Sequence, residues 1–418
     1  MRAIRSGSLV TEAAVATRHE RKASVVIDVT GNCDLKCEHC WNVGLLGTQL
    51  SYDEIVFLIE KIPEPARVHF LGGEPTLHPR FPDIVRFACD KGHYTSMVTN
   101  GGRLSRMGAL PVLEAGIHEV GISFDGPEEI HDAIRGPGSF ARAWDALQLT
   151  SGLVTERRLE TRVLVSVTLM EGNLAALPDL VRRFGQSGVF VDTLAISIGL
   201  KAGRMKEAGK LGDDKKALPD PGRWIDAVSA ISREWREYPR LQHLNLKTPP
   251  LVHEYLTSTF GVYLLDSLVR CPALAGSFGG RVRSDGKFYS CGRDFIVDDA
   301  KTRGHFEREG RHYKEVLESG EELFSQAGFR EVLQGHVRAP RAEICESCRW
   351  QSSCVQCPIL SYTGQEKLHT LCESVMDRAP DFDGARRALP PTADDARWLD
   401  LERPVLLRPD VYYREGRD

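Results

Sequence analysis

The chain has 418 residues, 42% hydrophobic and 27% charged, which excludes whole-chain disorder, collagen and coiled coil and suits two or three globular modules. Its 54 Lys and Arg against 58 Asp and Glu leave a formal charge of −4, so composition gives no electrostatic case for nucleic acid or an anionic membrane as partner. No apolar run approaches the ~20 residues of a membrane span, and Arg2, Arg5 and Arg18 are interspersed with Glu12 and Glu20 where a signal peptide would be apolar, which points to the cytoplasm.

Taken in chain order, strand and helix signals alternate. Ser24–Val29 is a β-branched run, hence a strand. Ser51 and Glu54 make a capping-box pair that opens a helix over Ile55–Ile62, stopped by Pro63. Arg67–Leu71 is the second strand, followed by a helix carrying Phe81, Ile84, Val85 and Phe87 that ends near Gly92. Tyr94–Thr99, His118–Phe124, Arg162–Leu169 and Val189–Ile198 are the third to sixth strands, with helical stretches between them. Repeated strand–helix units imply a parallel sheet with right-handed crossovers. Six units fall short of the eight of a closed barrel of ~250 residues, so the expected fold is α/β, a partial (β/α)6 TIM-like barrel, with a doubly wound sheet as competing topology. Beyond residue 199 the chain is polar and broken by Gly and Pro, apart from an amphipathic helix at Trp224–Trp235. The expected division is an N-terminal extension at 1–23, the barrel at 24–230, a bridging region at 231–270, a small cysteine-rich iron–sulfur domain at 271–375 and a tail at 376–418. In the tail, Val405–Leu407 and Val411–Tyr413 could dock as an extended strand.

Eleven cysteines are too many, and too clustered, for a chain read as cytoplasmic unless they serve metal or redox chemistry. Cys33, Cys37 and Cys40 lie in one tight loop after the first strand. Three thiolates can hold three irons of a 4Fe-4S cube and leave the fourth open. A structural zinc would need a fourth ligand, and His39, wedged between Cys37 and Cys40, would chelate only under strain. Cys271, Cys291, Cys345, Cys348, Cys354, Cys357 and Cys372 form a second region. There the pairs Cys345–Cys348 and Cys354–Cys357 are too close together for a zinc ribbon. Cys89 sits alone in an apolar helix and reads as a buried structural thiol. Other polar signatures fall at strand ends, where parallel α/β folds build their sites: Gly72-Gly73-Glu74-Pro75, Asn100, Ser123 and Asp125.

The segment Thr30–Trp41, with its Cys-X3-Cys-X2-Cys spacing, resembles the signature loop of the radical S-adenosylmethionine (SAM) superfamily. The resemblance implies a cluster on Cys33, Cys37 and Cys40 that binds SAM and cleaves it to methionine and a 5′-deoxyadenosyl radical, which takes a hydrogen atom from substrate. It implies that His39 lies near the adenine, that Gly72 and Gly73 let the backbone approach the ligand, and that Glu74 accepts from the SAM ammonium. Asn100 joins the cofactor contacts, Ser123 faces ribose or carboxylate, and Arg135 is a fork for the SAM carboxylate. The second cysteine region resembles the SPASM extension, which implies two auxiliary 4Fe-4S clusters. Cys271, Cys291 and Cys357 would hold one, and Cys345, Cys348, Cys354 and Cys372 the other. Three clusters with one corner left to SAM need about eleven protein ligands, and these motifs supply ten cysteines, so Asp266 or an open corner is left to complete the set. The spacing between Cys354 and Cys357 is one residue shorter than the family's usual gap.

Sulfatase maturases of the family carry an Asp directly after the cysteine matching Cys291; here Gly292 and Arg293 come first, and Asp294 is the candidate base. The favoured reading is a SPASM-type enzyme that cross-links or otherwise modifies side chains of a ribosomally made precursor peptide. A small metabolite (a sugar or tetrapyrrole) is the alternative substrate, and a non-catalytic iron–sulfur electron carrier the alternative class. Only 23 residues precede the first strand, so a peptide substrate would call for a separate leader-binding protein or direct binding, with a flavodoxin- or ferredoxin-type electron donor.

Overall fold

A computed structural model describes residues 23–62, 66–198, 203–204, 220–238, 241–246, 250–260, 278–291, 310–324, 343–346, 348 and 369–379. Cys271, Cys354, Cys357, Asp266, Asp294 and the two tail segments lie outside them.

The six expected strands all form: β1 Ala23–Thr30, β2 Ala66–Gly72, β3 Tyr94–Thr99, β4 Glu119–Ser123, β5 Arg162–Leu169 and β6 Val191–Ile198. They pair in sequence order and in parallel. The sheet runs further than six strands. β7 (Leu241–Leu246) adds in parallel beside β6, in the stretch expected to bridge domains. β8 (Phe278–Val282) adds in parallel on the other side of β1, and β9 (Phe288–Tyr289) closes an antiparallel hairpin with β8. The described order is β7-β6-β5-β4-β3-β2-β1-β8-β9, an open sheet rather than a closed barrel. Both additions were hidden because Leu241–Leu246 and Phe278–Val282 are short and interrupted by polar or glycine residues.

Alternation within the strands separates the two faces. In β5, Val163, Val165, Val167 and Leu169 are buried against helices, while Arg162, Leu164, Ser166 and Thr168 on the opposite face are half-buried. The outer face is covered by α1 (Tyr52–Glu60), α2 (Phe81–Asp90), the short α3 (Gly102–Met107) and α4 (Leu110–Glu114), then α5 (Glu128–Arg135), α6 (Ser139–Glu156) and α7 (Leu177–Ser187). Ser51 and Glu54 make the expected reciprocal cap on α1. At the N-terminal ends of the strands, Arg67, Glu119, Arg162 and Asp192 form a chain of ion pairs, with Arg162 2.9 Å from Glu119 and 2.7 Å from Asp192. That end is filled by charge pairing, and the cysteine loop lies at the other. The expected helix near Trp224 is α8 (Pro221–Arg236), and α9 (Pro250–Phe260) packs against it. After α10 (Tyr313–Glu318) come the short α11 (Glu343–Glu346) and α12 (His369–Arg378); α12 rests on α8 and α9, tied by Arg378 to Asp226 at 3.0 Å.

Candidate active site

The cysteine loop leaves β1 at Thr30 and crosses the C-terminal ends of β1 to β4. It has no regular structure of its own, so its polar backbone groups need partners elsewhere. The amide of Gly73 donates to Thr30 O at 2.8 Å and that of Glu74 to Asn32 O at 2.8 Å. The amide of Glu38 donates to Ile134 O in α5 at 2.9 Å. Arg204 donates through Nη1 to Cys37 O at 2.6 Å and through its amide to Cys40 O at 2.9 Å. Asn100 Nδ2 donates to Asp34 at 2.8 Å, and Asn100 Oδ1 caps the start of α3 at Gly102 N. Asn100 is therefore both turn residue and loop contact.

The glycine pair also serves the loop itself. A Cβ on Gly72 would meet Thr30 O at 2.2 Å, and one on Gly73 would meet Asn32 O at 2.3 Å. These glycines permit a close approach of the loop's own backbone.

Glu74 is 1% exposed. Its Oε1 accepts from Thr76 N, Thr76 Oγ1 and Thr99 Oγ1, the last at 2.7 Å, and its Oε2 accepts from Asn100 N at 2.7 Å. Burial nevertheless pushes its carboxyl above the usual range, against these donors. The carboxylate thus laces the β2 turn to the end of β3, with three of its four donors on one oxygen.

Ser123 ends β4 and is buried, followed by Phe124, which packs edge-on against Phe140, Trp144 and Phe184. That aromatic anchor fixes Asp125, a fully buried carboxylate that the sequence marked only as a strand-end polar residue. Asp125 Oδ1 accepts from Thr168 N at 2.9 Å, and Oδ2 accepts from Arg135 Nε at 2.6 Å, with His39 Nε2 3.7 Å away. Burial would raise the Asp125 carboxyl; the Arg135 guanidinium and His39 outweigh it and hold it below the usual range. Arg135 thus commits one nitrogen to Asp125. His131 accepts from Asp125 N through Nδ1, and burial and Arg135 hold it down to about 4, consistent with a neutral acceptor. Asp132 caps α6 by accepting from Gly138 N, Ser139 Oγ and Phe140 N.

Cys33, Cys37 and Cys40 are all free thiols. Burial pushes Cys33 up to about 12 and raises Cys37 as well, with Arg135 opposing the rise at Cys37. Thiols so placed need bound metal to stay ionised. Among the described residues no three Cys, His, Asp or Glu side chains converge on one ion. A cube takes each thiolate at a separate iron and needs no such convergence. Three free thiols on one pinned loop, with Arg135 to balance their charge, fit a 4Fe-4S cluster. His39, with Nδ1 buried and without a hydrogen-bond partner, lies in the same loop.

Of the second cysteine region, Cys291 is buried just after β9, Cys345 lies in α11, Cys348 follows it with its amide 3.4 Å from Cys345 O, and Cys372 is buried in α12, which packs on α11. Cys89, expected to be buried, is half-buried; it hydrogen-bonds Thr95 Oγ1 at 3.3 Å and donates to Gly116 O at 3.2 Å. Asp125 was marked in the sequence only as a strand-end residue, without a partner or role, and Arg204 was not marked at all. Arg204 lies in a broken polar stretch with no pattern to mark it.

The model of the Radical SAM superfamily matches residues 27–165. The PqqA peptide cyclase of Rhodopseudomonas palustris is 33% identical over 165 residues, 38% of this chain and 42% of the relative. That of Bradyrhizobium diazoefficiens is 31% identical over 225 residues, 51% of this chain and 54% of the relative. The chain thus spans about half the length of the curated relatives it matches. A solved structure of native anSMEcpe with bound AdoMet and Kp18Cys peptide superposes with a TM-score of 0.59 at 17% identity, covering 86% of this chain and 97% of that one, a likeness of fold. No described helix is long and apolar enough to cross a membrane. The braced cysteine loop at the strand ends of the open parallel sheet lies within residues 27–165, the segment that the Radical SAM superfamily model matches.

Proposed function

We propose that the chain is a radical SAM enzyme of the SPASM type that modifies a ribosomally made peptide, acting in the cytoplasm. The observation that carries the reading is the loop itself: three free thiols pinned through backbone groups beside the buried Arg135–Asp125 pair. The peptide substrate is supported by the names of the relatives, both peptide cyclases, and by the peptide bound in the fold neighbour.

Cys33, Cys37 and Cys40 would hold the catalytic 4Fe-4S cluster, which when bound would supply the electron for reductive cleavage of SAM. The chain's own residues set the stage. Arg135, steadied by Asp125, presents positive charge to the thiolates and to a carboxylate ligand. Ser123, Asn100 and His39 border the same strand ends, and Gly72, Gly73 and Glu74 hold the loop against β2. Cys271, Cys291, Cys345, Cys348, Cys354, Cys357 and Cys372 would hold two auxiliary clusters, and Asp294 would serve as base. A flavodoxin- or ferredoxin-type donor and a separate leader-binding protein complete the proposed system.

Anaerobic reconstitution tests it in two steps. Three clusters correspond to about twelve irons per chain, and a value near four overturns the auxiliary clusters. Reduced protein given SAM should release 5′-deoxyadenosine; none at all overturns the enzyme reading.

A further inference from the structure

One buried ion pair plays no part in the site above. Arg281 on β8 is 2% exposed and Asp28 on β1 is fully buried. Arg281 donates to Asp28 Oδ2 from Nε at 3.0 Å and from Nη2 at 2.5 Å. The same guanidinium lies over the ring of Trp41, with its carbon 4.0 Å from the ring centroid. Trp41 directly follows Cys40. Three residues beyond Arg281, Ser284 Oγ lies 2.7 Å from Thr48 Oγ1. Thr48 in turn accepts from Gly31 N at 2.9 Å, just ahead of Cys33. The segment between Trp41 and Thr48 is thus held at both ends by residues of one C-terminal strand and its turn, more than 230 positions away in sequence and outside the matched 27–165.

We propose that Arg281 is a positioning residue for the catalytic cluster: held by Asp28, it stacks on Trp41 and so fixes the Cys40 corner of the loop. A guanidinium is suited to this, since its plane can stack while its edge hydrogen-bonds, whereas the ammonium of Lys cannot do both. Ser284 fixes the far end of the segment. The inference rests on the proposed cluster, because its purpose is to seat that cluster. It adds that the cysteine loop is completed by the first strand of the β8–β9 hairpin that leads into Cys291, so the two cysteine regions share one mechanical support.

The test uses the full-length, anaerobically reconstituted protein and its electron paramagnetic resonance spectrum. In the reduced unaltered protein, added SAM should change the cluster signal. Trp41→Leu and Arg281→Lys should each raise the SAM concentration for half-change by about tenfold, on the order of what a desolvated cation–π contact contributes. Trp41→Phe, which keeps a ring face, should restore most of the response. The double variant Trp41→Leu/Arg281→Lys should be no worse than either single one, because both remove one contact. Unaltered titrations in both single variants, or effects that add in the double, overturn the positioning role while leaving the cluster reading intact. A reduced unaltered protein with no SAM-sensitive signal overturns the cluster reading, and this inference with it. Trp41 is only half-buried, so its variants remain informative if Arg281→Lys folds poorly.

Discussion

Glu74→Gln separates a lacing carboxylate from one whose purpose is to meet a ligand. Glu74 Oε1 receives three donors and Oε2 one, all from the protein. A glutamine must turn its amide nitrogen toward one of these sets. Even in the better orientation, with nitrogen at Oε2, an N–H group faces the N–H of Asn100 and their bond is lost. A hydrogen bond to a charged group contributes about 1.5–3 kcal/mol, and leaving a buried donor unpaired costs about 1–3 kcal/mol more. Part of this returns, because the neutral amide escapes the desolvation that pushes the Glu74 carboxyl up. A net loss of about 2 kcal/mol is expected in protein without iron or SAM. Native-state amide exchange reads it where it arises: the Thr76 and Asn100 amides should exchange roughly 30-fold faster at that free energy. A purely ligand-facing Glu74 would leave the ligand-free protein unchanged. Exchange within twofold of the unaltered protein at both amides would refute the lacing argument.

Gly73→Ala should cut iron uptake by the catalytic loop at least severalfold, since its Cβ would press on Asn32 O; Gly152→Ala, in α6 with nothing within 4 Å of the added carbon, should leave iron content unchanged and add about 0.5–1 kcal/mol of stability by denaturant titration. Cys89→Ala should keep the full iron content and lower stability by about 1 kcal/mol, and loss of four irons would refute its packing role. Burial slightly opposes ionisation of Glu54, but Ser51 and Lys314 hold its carboxyl down to about 2. Its folded value lies below the unfolded one, so its stabilisation is present above about pH 4.5 and is lost as pH falls toward 2. Glu54→Gln in iron-free protein should flatten the pH dependence of stability over that window, by less than about 1 kcal/mol because Glu54 is only half-buried and its partner Lys314 is exposed.

The six central strands were legible because each carries a β-branched or aromatic run bounded by turn residues, and Ser51–Glu54 announced the first helix outright. The thiols were legible for a chemical reason, since their spacing has few other uses. What escaped the sequence was mutual placement. Gly72 and Gly73 stood out, but only the structure shows that their bare faces meet Thr30 and Asn32. Arg135 was marked as a fork for a ligand, and its Nε is already engaged by Asp125, a partner ten positions away that pattern reading had no means to pair with it. Arg204 and Arg281 carry no local signal, because what they do depends on backbone and rings brought close by the sheet order β2-β1-β8 and by a loop crossing the strand ends.

The pins of the cysteine loop share a chemical logic. Thr30 O, Asn32 O, Cys37 O and Cys40 O all accept from outside donors, and Glu38 N donates to α5. Each of these bonds uses backbone, so each is indifferent to which side chain the loop residue carries. The side chains are thereby released for the cofactor, and three of them are thiols. Side-chain pins occur beside this set, at Asn32 to Gly47, Asp34 to Asn100 and Trp41 to Arg281. A loop held through its backbone keeps its shape when its side chains exchange a proton for an iron, since no pin is lost with the proton. That is the property required of a site whose cysteines are buried and hard to ionise before metal arrives, and whose geometry must already be in place when it does.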